Sequence, residues 1–284
     1  MQVGIVGTGV MGSALARRLS YLGFDVYVWN RTLSKAKMLE KYKVSVALSI
    51  KELVEKVEII HIFVSDNEAV KSVFFSKDTI YDNINRKIKL VLNHSTVTPQ
   101  VNIELYEALR EKNIDFLEAP VMGSWPEAEK GKLHIFIGGD KELFEKYQDY
   151  LSKIGEVLFY TGKVGTASIM KLASNMMLFN IALSLSEAIK LVEEYGVEPE
   201  NLLEYFKKTW LKTVSERYGR RILDENYPTR FKLSLAAKDL TYAVQAATAK
   251  RKALPLTTAS MNTYLLASEH GLGERDYAKV YLLL

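Results

Sequence analysis

Hydrophobic positions follow two periodicities along the first 160 or so residues. Short apolar runs rich in Val and Ile alternate with stretches in which apolar residues recur every three or four positions, and these patterns predict strands and helices respectively. Strands are predicted over residues 3–6, 25–29, 58–64, 90–93, 115–118, 134–138 and 156–159. Helices are predicted over residues 13–22, 34–41, 50–57, 99–112 and 141–154. This alternation is typical of a parallel sheet doubly wound with helices.

The pattern changes after Gly162 and Gly165, because residues 166–284 show long helical periodicity and hardly any strand-like alternation. A helix over 167–195 is predicted to end at Gly196, and Pro199 begins the next. We therefore expect an α/β protein with two domains. Residues 1–163 form the doubly wound domain, and residues 164–284 form an all-helical domain for substrate binding and oligomerisation. The long helix joins them.

A glycine motif directly follows the first predicted strand and directly precedes a helix. Gly7, Gly9 and Gly12 have G-x-G-x-x-G spacing, in which the glycines allow a tight turn, close approach to a pyrophosphate and close helix packing. The phosphates would lie at a helix N-terminus, where N–H groups and the helix dipole favour anions. The motif predicts a Rossmann dinucleotide-binding domain, and a glycine turn without a ligand is the alternative. The cofactor contacts predicted here are Gly7, Thr8, Gly9, Val10, Met11 and Gly12.

The second strand ends in Asn30-Arg31-Thr32, where an NAD-binding domain would carry an acid for the ribose hydroxyls. Arg31 can instead contact a 2′-phosphate, with Asn30, Thr32 and Lys35 as further donors. The alternative is that Arg31 is an ordinary solvated charge. The missing acid favours the first interpretation, so NADP(H) is the predicted cofactor.

Composition excludes several other classes of protein. The 284 residues are 48% hydrophobic and 25% charged, with a formal net charge of +4, which favours small anionic ligands over nucleic acid or a membrane. Without cysteine, disulfides and thiolate chemistry are excluded, and the four histidines lack metal-ligand spacing, so no metal is predicted. No signal peptide or uninterrupted apolar run of membrane-spanning length is evident, so a cytoplasmic protein is expected.

Two polar residues of the long helix form the candidate catalytic pair. Lys171 and Asn175 are four residues apart and project from one face of the helix. A lysine beside a carbonyl oxygen can donate a proton to it, and an asparagine can hold the substrate or the lysine by hydrogen bonds. Helix-surface lysines are common, so the pair alone is a weak signal.

Several separated segments resemble the β-hydroxyacid dehydrogenase family, which includes 3-hydroxyisobutyrate dehydrogenases and glyoxylate/succinic semialdehyde reductases. The likeness extends over essentially the whole chain. Its segments are the glycine motif, residues 94–96 (HST), 118–124 (EAPVMGS), 162–165 (GKVG) with Lys171 and Asn175, 238–240 (KDL) and 276–278 (DYA). Residues 28–35 and 231–233 are similar to the NADPH-linked glyoxylate/succinic semialdehyde reductase branch.

The resemblance implies roles for individual residues. Lys171 matches the catalytic lysine and Asn175 its substrate partner on the helix. Thr96 would lie beside the nicotinamide and Lys238 would contact the cofactor. The remaining matches are Val64 and Ser65 in the loop against the cofactor, and Phe231 and Asp239 at the substrate pocket. A homodimer or homotetramer is also implied.

One departure from the family pattern bears on the substrate. Met122 stands where the family motif normally has Ser, and a methionine cannot donate a hydrogen bond to a substrate carboxylate. Backbone N–H groups at Gly123 and Ser124, with the Ser124 hydroxyl, could still hold an anion. The change is either harmless variation or a shift to a larger or less polar substrate, and Trp125 is a second bulky departure.

The leading hypothesis is an NADP(H)-dependent oxidoreductase that interconverts a small aldehyde acid and its hydroxy acid, with Lys171 as general acid or base. An imine reductase on the same fold is one rival, although its members usually lack this lysine. A non-catalytic NADP-binding sensor or scaffold is another. His94 could polarise a substrate carbonyl, but a structural role is the simpler reading.

Overall fold

The computed structural model describes residues 1–284, which divide into two compact units, Met1–Lys171 and Leu172–Leu284. The first unit is an α/β domain and the second is helical. The predicted fold class is therefore confirmed.

The first unit contains one sheet of nine strands in the order β3-β2-β1-β4-β5-β6-β8-β7, with β9 paired to β8. The strands are β1 Gln2–Val6, β2 Asp25–Trp29, β3 Ser45–Val46, β4 Ile59–Ile62, β5 Leu90–Asn93, β6 Asp115–Glu118, β7 Val121–Met122, β8 Leu133–Gly138 and β9 Gly155–Gly162. All seven predicted strands are present. The two-residue strands β3 and β7 are too short to show a periodicity.

Strand direction follows the parallel prediction from β3 to β6 and departs from it beyond β6. β8 runs antiparallel to both β6 and β7, whereas β9 is parallel to β8. A parallel neighbour needs a crossover of a dozen or more residues, and β7 is joined to β8 by little more than one short helix. The expectation of a parallel sheet is therefore wrong at this edge.

Helices cover both faces of the sheet. They are α1 Val10–Tyr21, α2 Leu33–Lys37, α3 Ile50–Lys56, α4 Asn67–Phe75, α5 Ile80–Asn83, α6 Pro99–Glu111, α7 Trp125–Lys130 and α8 Lys141–Leu151. One hydrophobic cluster includes Leu15 of α1 and Leu151 of α8, and a second includes Leu53 of α3 and Leu105 of α6. The five predicted helices are present, whereas α4, α5 and α7 have no counterpart in the prediction.

The long helix α9 spans Thr166–Glu194, close to the predicted 167–195, and the chain turns at Gly196 with a φ of +72°. The second unit continues with α10 Pro199–Lys207, α11 Lys212–Leu223, α12 Leu233–Ala249 and α13 Pro255–Ala267. Its core includes Phe179 and Tyr264. By length and composition alone α9 could cross a membrane, but half of its most apolar stretch is buried, and core helices pass the same test.

Candidate active site

The three motif glycines differ in what an added Cβ atom would meet. Gly7 has a φ of +101°, and a Cβ there would collide with the carbonyl oxygen of Phe63. A Cβ at Gly12 would collide with the carbonyl oxygen of Gly7, so the start of α1 packs directly on the turn. At Gly9 a Cβ would meet nothing within 4 Å. The space beside Gly9 is therefore open for a ligand at the start of α1.

The surroundings of this loop fit an anionic dinucleotide. α1 has no side-chain cap and no acidic residue in its first turn. No side chain of α1 therefore balances the partial positive charge of its N-terminal N–H groups, which an anion in the open space could do. Val10 is exposed and Met11 packs against the core. The buried hydroxyl of Thr8 has no hydrogen-bond partner within the protein. Phosphate oxygens of a bound dinucleotide would supply the acceptors that these donors lack.

The loop after β2 lies against the glycine loop. The carboxamide oxygen of Asn30 accepts from the Thr8 N–H at 3.0 Å, and its nitrogen donates to the Thr32 carbonyl at 3.0 Å. Asn30 thus joins the two loops, and its predicted role as a further donor to the 2′-phosphate stays a prediction. Arg31 and Lys35 are exposed and form no ion pair in the protein, and α2 has no acidic residue in its first turn.

Residues 63–67 and 94–98 follow β4 and β5, whose carboxyl ends meet at the edge of the sheet where β1 also ends. The Val64 N–H donates to the Ser95 hydroxyl at 3.0 Å. The Ser65 hydroxyl donates to Asp66, which caps α4 by accepting from the Ala69 N–H. Of the predicted contacts, Val64, Ser65 and Thr96 therefore share one edge of the sheet with the glycine loop.

A buried chain of hydrogen bonds runs from Tyr150 through His61 and His94 to the carbonyl of Ala119. The three distances are 2.6, 2.8 and 2.7 Å. Because a carbonyl can only accept, His94 Nδ1 donates, His94 Nε2 accepts from His61, and His61 Nε2 accepts from the Tyr150 hydroxyl. Desolvation lowers the pKa of His94 to about 4 and that of His61 well below its usual value. Both ring nitrogens of His94 are thus engaged inside the protein, and the structural reading of His94 is the better one.

Glu118, at the end of β6, caps the N-terminus of α9 from a buried position. Its Oε1 accepts from the backbone N–H groups of Gly165 and Ala167 at 2.7 and 2.8 Å. Its Oε2 accepts from the Ser168 hydroxyl at 2.7 Å and from Asn102 Nδ2 at 2.9 Å. Desolvation raises the pKa of Glu118, and these hydrogen bonds oppose the rise. The carboxylate fixes where the helix that carries Lys171 begins.

Lys171 is 7% exposed, and its Nζ lies 3.2 Å from Sδ of Met122 in β7. A thioether is a weak acceptor and has no proton to donate. The residue that departs from the family motif is thus in direct contact with the predicted proton donor. Sequence reasoning named both residues without relating them.

The loop after β7 is shaped by its own carboxylate. The Ser124 N–H donates to Glu127 Oε2 at 2.8 Å, as part of a capping box at the start of α7. Gly123 has a φ of +119° and lies over the Glu127 side chain. Trp125 is 46% exposed. The Ser124 N–H, expected from the sequence to be available for a substrate anion, is therefore used by Glu127.

In the second unit, Asp239 holds two of the predicted site residues. Asn175 Nδ2 donates to Asp239 Oδ2 at 2.6 Å. Lys238 Nζ lies 3.1 Å from Asp239 Oδ1, close enough for an ion pair although not aligned as a hydrogen bond. Asp239 and Asn175 are both buried. Asp239 therefore orients the Asn175 amide, a role that the sequence did not indicate.

Phe231 is positioned by the C-terminal segment. Asp276 pairs with Arg221 through two contacts of 2.6 and 2.8 Å, and it also accepts from the N–H of Phe231 at 3.3 Å. The Phe231 ring stacks on Phe179 with centroids 5.7 Å apart. The 276–278 segment of the family signature thus anchors a predicted pocket residue within the second unit.

Sequence reasoning missed four polar side chains that organise the first unit: Asn102, Glu118, Glu127 and Tyr150. Asn102 lies on the buried face of the amphipathic helix α6, which was a usable signal of a buried polar contact. The partners of the other three are distant in sequence or depend on a local cap, so periodicity does not reveal them.

Comparisons with known proteins identify both halves of the chain. Residues 2–162 match the family profile described as the NAD binding domain of 6-phosphogluconate dehydrogenase. Residues 165–284 match the one described as NAD-binding of NADP-dependent 3-hydroxyisobutyrate dehydrogenase. Together they cover nearly the whole chain.

Among relatives, glyoxylate/succinic semialdehyde reductase 1 of Arabidopsis thaliana is 32% identical, over 99% of this chain and 97% of its own length. The cytokine-like nuclear factor N-PAC of Anopheles gambiae is 30% identical over 99% of this chain, but only 50% of N-PAC is covered. In fold, the chain is similar to 3-hydroxyisobutyrate dehydrogenase from Mycobacterium tuberculosis, solved with L-serine. That likeness has a TM-score of 0.87 at 19% identity and covers 99% of this chain and 98% of the other.

The chain has a Rossmann domain whose glycine loop has the spacing of a dinucleotide-binding motif, and the helical domain follows it. Together they define an NAD(P)-dependent oxidoreductase. The chain belongs to the β-hydroxyacid dehydrogenase family. The predicted family, the enzyme class and NADP(H) as cofactor are confirmed.

Proposed function

We propose that this enzyme reduces small aldehyde acids to hydroxy acids with NADPH, and that Lys171 supplies the proton. The observation that carries the proposal is a buried lysine, 7% exposed, on the helix whose start is fixed by Glu118. Lys171 and Asn175 are four residues apart on this helix, so they lie one turn apart on the same face. The name of the 32%-identical Arabidopsis relative, a glyoxylate/succinic semialdehyde reductase, supports the substrate class.

The chemistry divides between the cofactor and the chain. When bound, NADPH supplies the reducing equivalent to the carbonyl carbon. Lys171 donates its proton to the carbonyl oxygen as negative charge develops there, and in the reverse direction it accepts the hydroxyl proton. Asn175, oriented by Asp239 at 2.6 Å, holds the substrate by hydrogen bonds. Phe231 is proposed as an apolar contact of the substrate, as the family resemblance implies.

Cofactor binding is proposed to use the residues that the sequence indicated. Gly7 to Gly12 hold the pyrophosphate at the start of α1, and Arg31 with Thr32 and Lys35 bind the 2′-phosphate. Val64, Ser65 and Thr96 line the edge of the sheet beside the cofactor, and Lys238 is a further contact. The exposure of Arg31 and the absence of an acid in the first turn of α2 support a preference for NADPH over NADH.

Two rival functions are less well supported. An imine reductase would not need the buried lysine. A non-catalytic NADP-binding protein is a real alternative, because one relative is named a nuclear factor. A protein that only binds nucleotide has no use for a buried Lys171, or for an Asn175 amide oriented by Asp239. The assembly, a homodimer or homotetramer, and the cytoplasmic location stay predictions.

The test is NADPH consumption at 340 nm with glyoxylate, succinic semialdehyde, methylmalonate semialdehyde and a cyclic imine. Lys171→Ala is expected to lower kcat by roughly a hundred- to ten-thousandfold, the usual contribution of a general acid. Binding of NADPH, followed by thermal shift, should change little.

Lys208→Ala is the matched control, because Lys208 is an exposed lysine of the second unit and its loss should leave kcat unchanged. Near-normal turnover by Lys171→Ala would show that another group donates the proton. Binding of NADPH without reduction of any carbonyl or imine would favour the non-catalytic alternative.

A further inference from the structure

The side of Lys171 that faces β7 is covered by an apolar side chain. Met122 Sδ is 3.2 Å from Lys171 Nζ, so the thioether and its methyl group lie beside the atom that is proposed to protonate the substrate. A reacting carbonyl within hydrogen-bond distance of Nζ therefore also lies close to Met122. Any group attached to that carbonyl on this side meets CH₂, sulfur and CH₃, which cannot donate a hydrogen bond to an anion.

The rest of this segment is no better suited to an anion. The Ser124 N–H is used by the Glu127 carboxylate at 2.8 Å. That carboxylate would repel a second anion at the same loop, and repulsion is stronger at a partly buried site than in water. Residues 119–126 contain no Lys or Arg, and Trp125 adds exposed aromatic surface. On the β7 side of Lys171, the contacts and the composition of the segment therefore disfavour a carboxylate.

From this arrangement we infer that the carbonyl carbon of the substrate carries an aliphatic carbon, not a carboxylate. The inference rests on the proposed function and narrows its substrate class. The enzyme takes an aliphatic semialdehyde of the succinic semialdehyde type, whose acid group is separated from the aldehyde by methylenes. A 2-oxo acid such as glyoxylate, in which the carboxylate is attached to the reacting carbon, is a poor substrate.

The experiment measures kcat/KM with NADPH for succinic semialdehyde, butanal and glyoxylate. Butanal has the same carbon count as succinic semialdehyde but no acid, so the ratio of glyoxylate to butanal reports how well a carboxylate beside the carbonyl is accepted. The wild type is expected to favour succinic semialdehyde over glyoxylate by at least about tenfold. In Met122→Ser, which restores a hydroxyl, the glyoxylate to butanal ratio should rise about tenfold or more, corresponding to about 1.4 kcal/mol.

Met122→Leu is the matched control, because it keeps an apolar side chain of similar volume and has no sulfur and no hydroxyl. Its glyoxylate to butanal ratio of kcat/KM should equal that of the wild type. Glu127→Gln keeps an oxygen that can accept from the Ser124 N–H and removes the charge, so it should raise the ratio about threefold. Thermal shift with NADPH reports whether Met122→Ser folds. If it does not, Glu127→Gln still tests the inference.

A wild-type preference for glyoxylate, or a ratio unchanged in both Met122→Ser and Glu127→Gln, overturns the inference and leaves the proposed function intact. An enzyme that binds NADPH and reduces none of the three aldehydes overturns the proposed function itself. The two failures are therefore distinguishable.

Discussion

Arg31 is an exposed cation with no partner in the protein. It directly follows Asn30, the residue that joins the loop after β2 to the glycine loop. A charge-assisted hydrogen bond contributes about 1.5–3 kcal/mol, so Arg31→Ala should weaken NADPH binding by about ten- to a hundredfold. NADH lacks the 2′-phosphate and should be nearly unaffected. Dissociation constants from fluorescence titration with both cofactors measure the difference.

Arg86→Ala serves as control, since Arg86 is another exposed arginine of the first unit and its loss changes the net charge equally. Both cofactors should bind this variant as they bind the wild type. An equal loss of NADPH and NADH affinity in Arg31→Ala would contradict the assignment of Arg31 to the 2′-phosphate.

The position of helix α9 depends on one carboxylate from another element. Glu118→Gln leaves the size of the side chain nearly unchanged, but it turns an NH₂ group toward donors such as Asn102 and the Gly165 N–H. Each buried donor left unpaired costs about 1–3 kcal/mol, so a total loss of roughly 2–4 kcal/mol is expected. The thermal unfolding midpoint should fall by several degrees, and kcat should fall because Lys171 lies less than one turn after Ser168.

Glu129→Gln provides the comparison. Glu129 pairs with Arg17 at a partly exposed site, where an ion pair contributes about 1 kcal/mol or less. Its midpoint should stay close to that of the wild type. If both variants lose the same stability and Glu118→Gln keeps full kcat, Glu118 does not position the catalytic helix.

The buried histidines connect β4, β5, β6 and α8, and their low pKa values make this connection sensitive to acid. In the unfolded chain His94 titrates near 6.5, and in the folded protein its pKa is about 4. Between these two pH values the unfolded state therefore binds more protons than the folded state. The stability that neutral His94 contributes is fully present above pH 6.5 and is lost as the pH falls toward 4. His94 alone should cost about 2 kcal/mol on going from pH 7.5 to pH 5.

His94→Asn is the informative variant, because its amide can still donate to the Ala119 carbonyl but does not titrate. The drop in the thermal unfolding midpoint from pH 7.5 to pH 5 should be smaller in this variant than in the wild type. The comparison between variants is needed because the raised pKa of Glu118 acts with the opposite sign and stabilises the folded state as the pH falls. Parallel losses in both proteins would contradict the assignment.

At the scale of the whole molecule, several large apolar side chains of the second unit are exposed in the single chain. Trp210 is 89% exposed, Leu256 66% and Leu191 63%. Exposed apolar side chains that come together in a patch are typical of an interface. We predict a symmetric assembly in which these side chains are buried, so light scattering at micromolar concentration should give two or four times the mass of one chain.

Leu256→Asp should shift this assembly toward the single chain, and Tyr21→Ser should not. Tyr21 is 84% exposed but lies on α1 of the first unit. A single-chain mass for the wild type would reject the prediction.

The sequence by itself determined the features that depend on neighbouring residues. Strand and helix periodicity, the glycine motif and the end of α9 at Gly196 are local, because each depends on backbone and side-chain geometry within a few residues. For that reason the strands from β1 to β6, apart from β3, and the long helix are predicted nearly to the residue. The family and the cofactor likewise follow from short motifs, whose residues are neighbours in the chain.

Only the tertiary structure decided the contacts between residues distant in the chain. Glu118 caps α9 through the N–H of Gly165, 47 residues later, and Met122 meets Lys171 49 residues away. The antiparallel course of β8 follows from a connection too short for a crossover, and the neutrality of His61 and His94 follows from burial between several elements. Burial and long-range pairing are properties of the packed chain, and no local pattern encodes them.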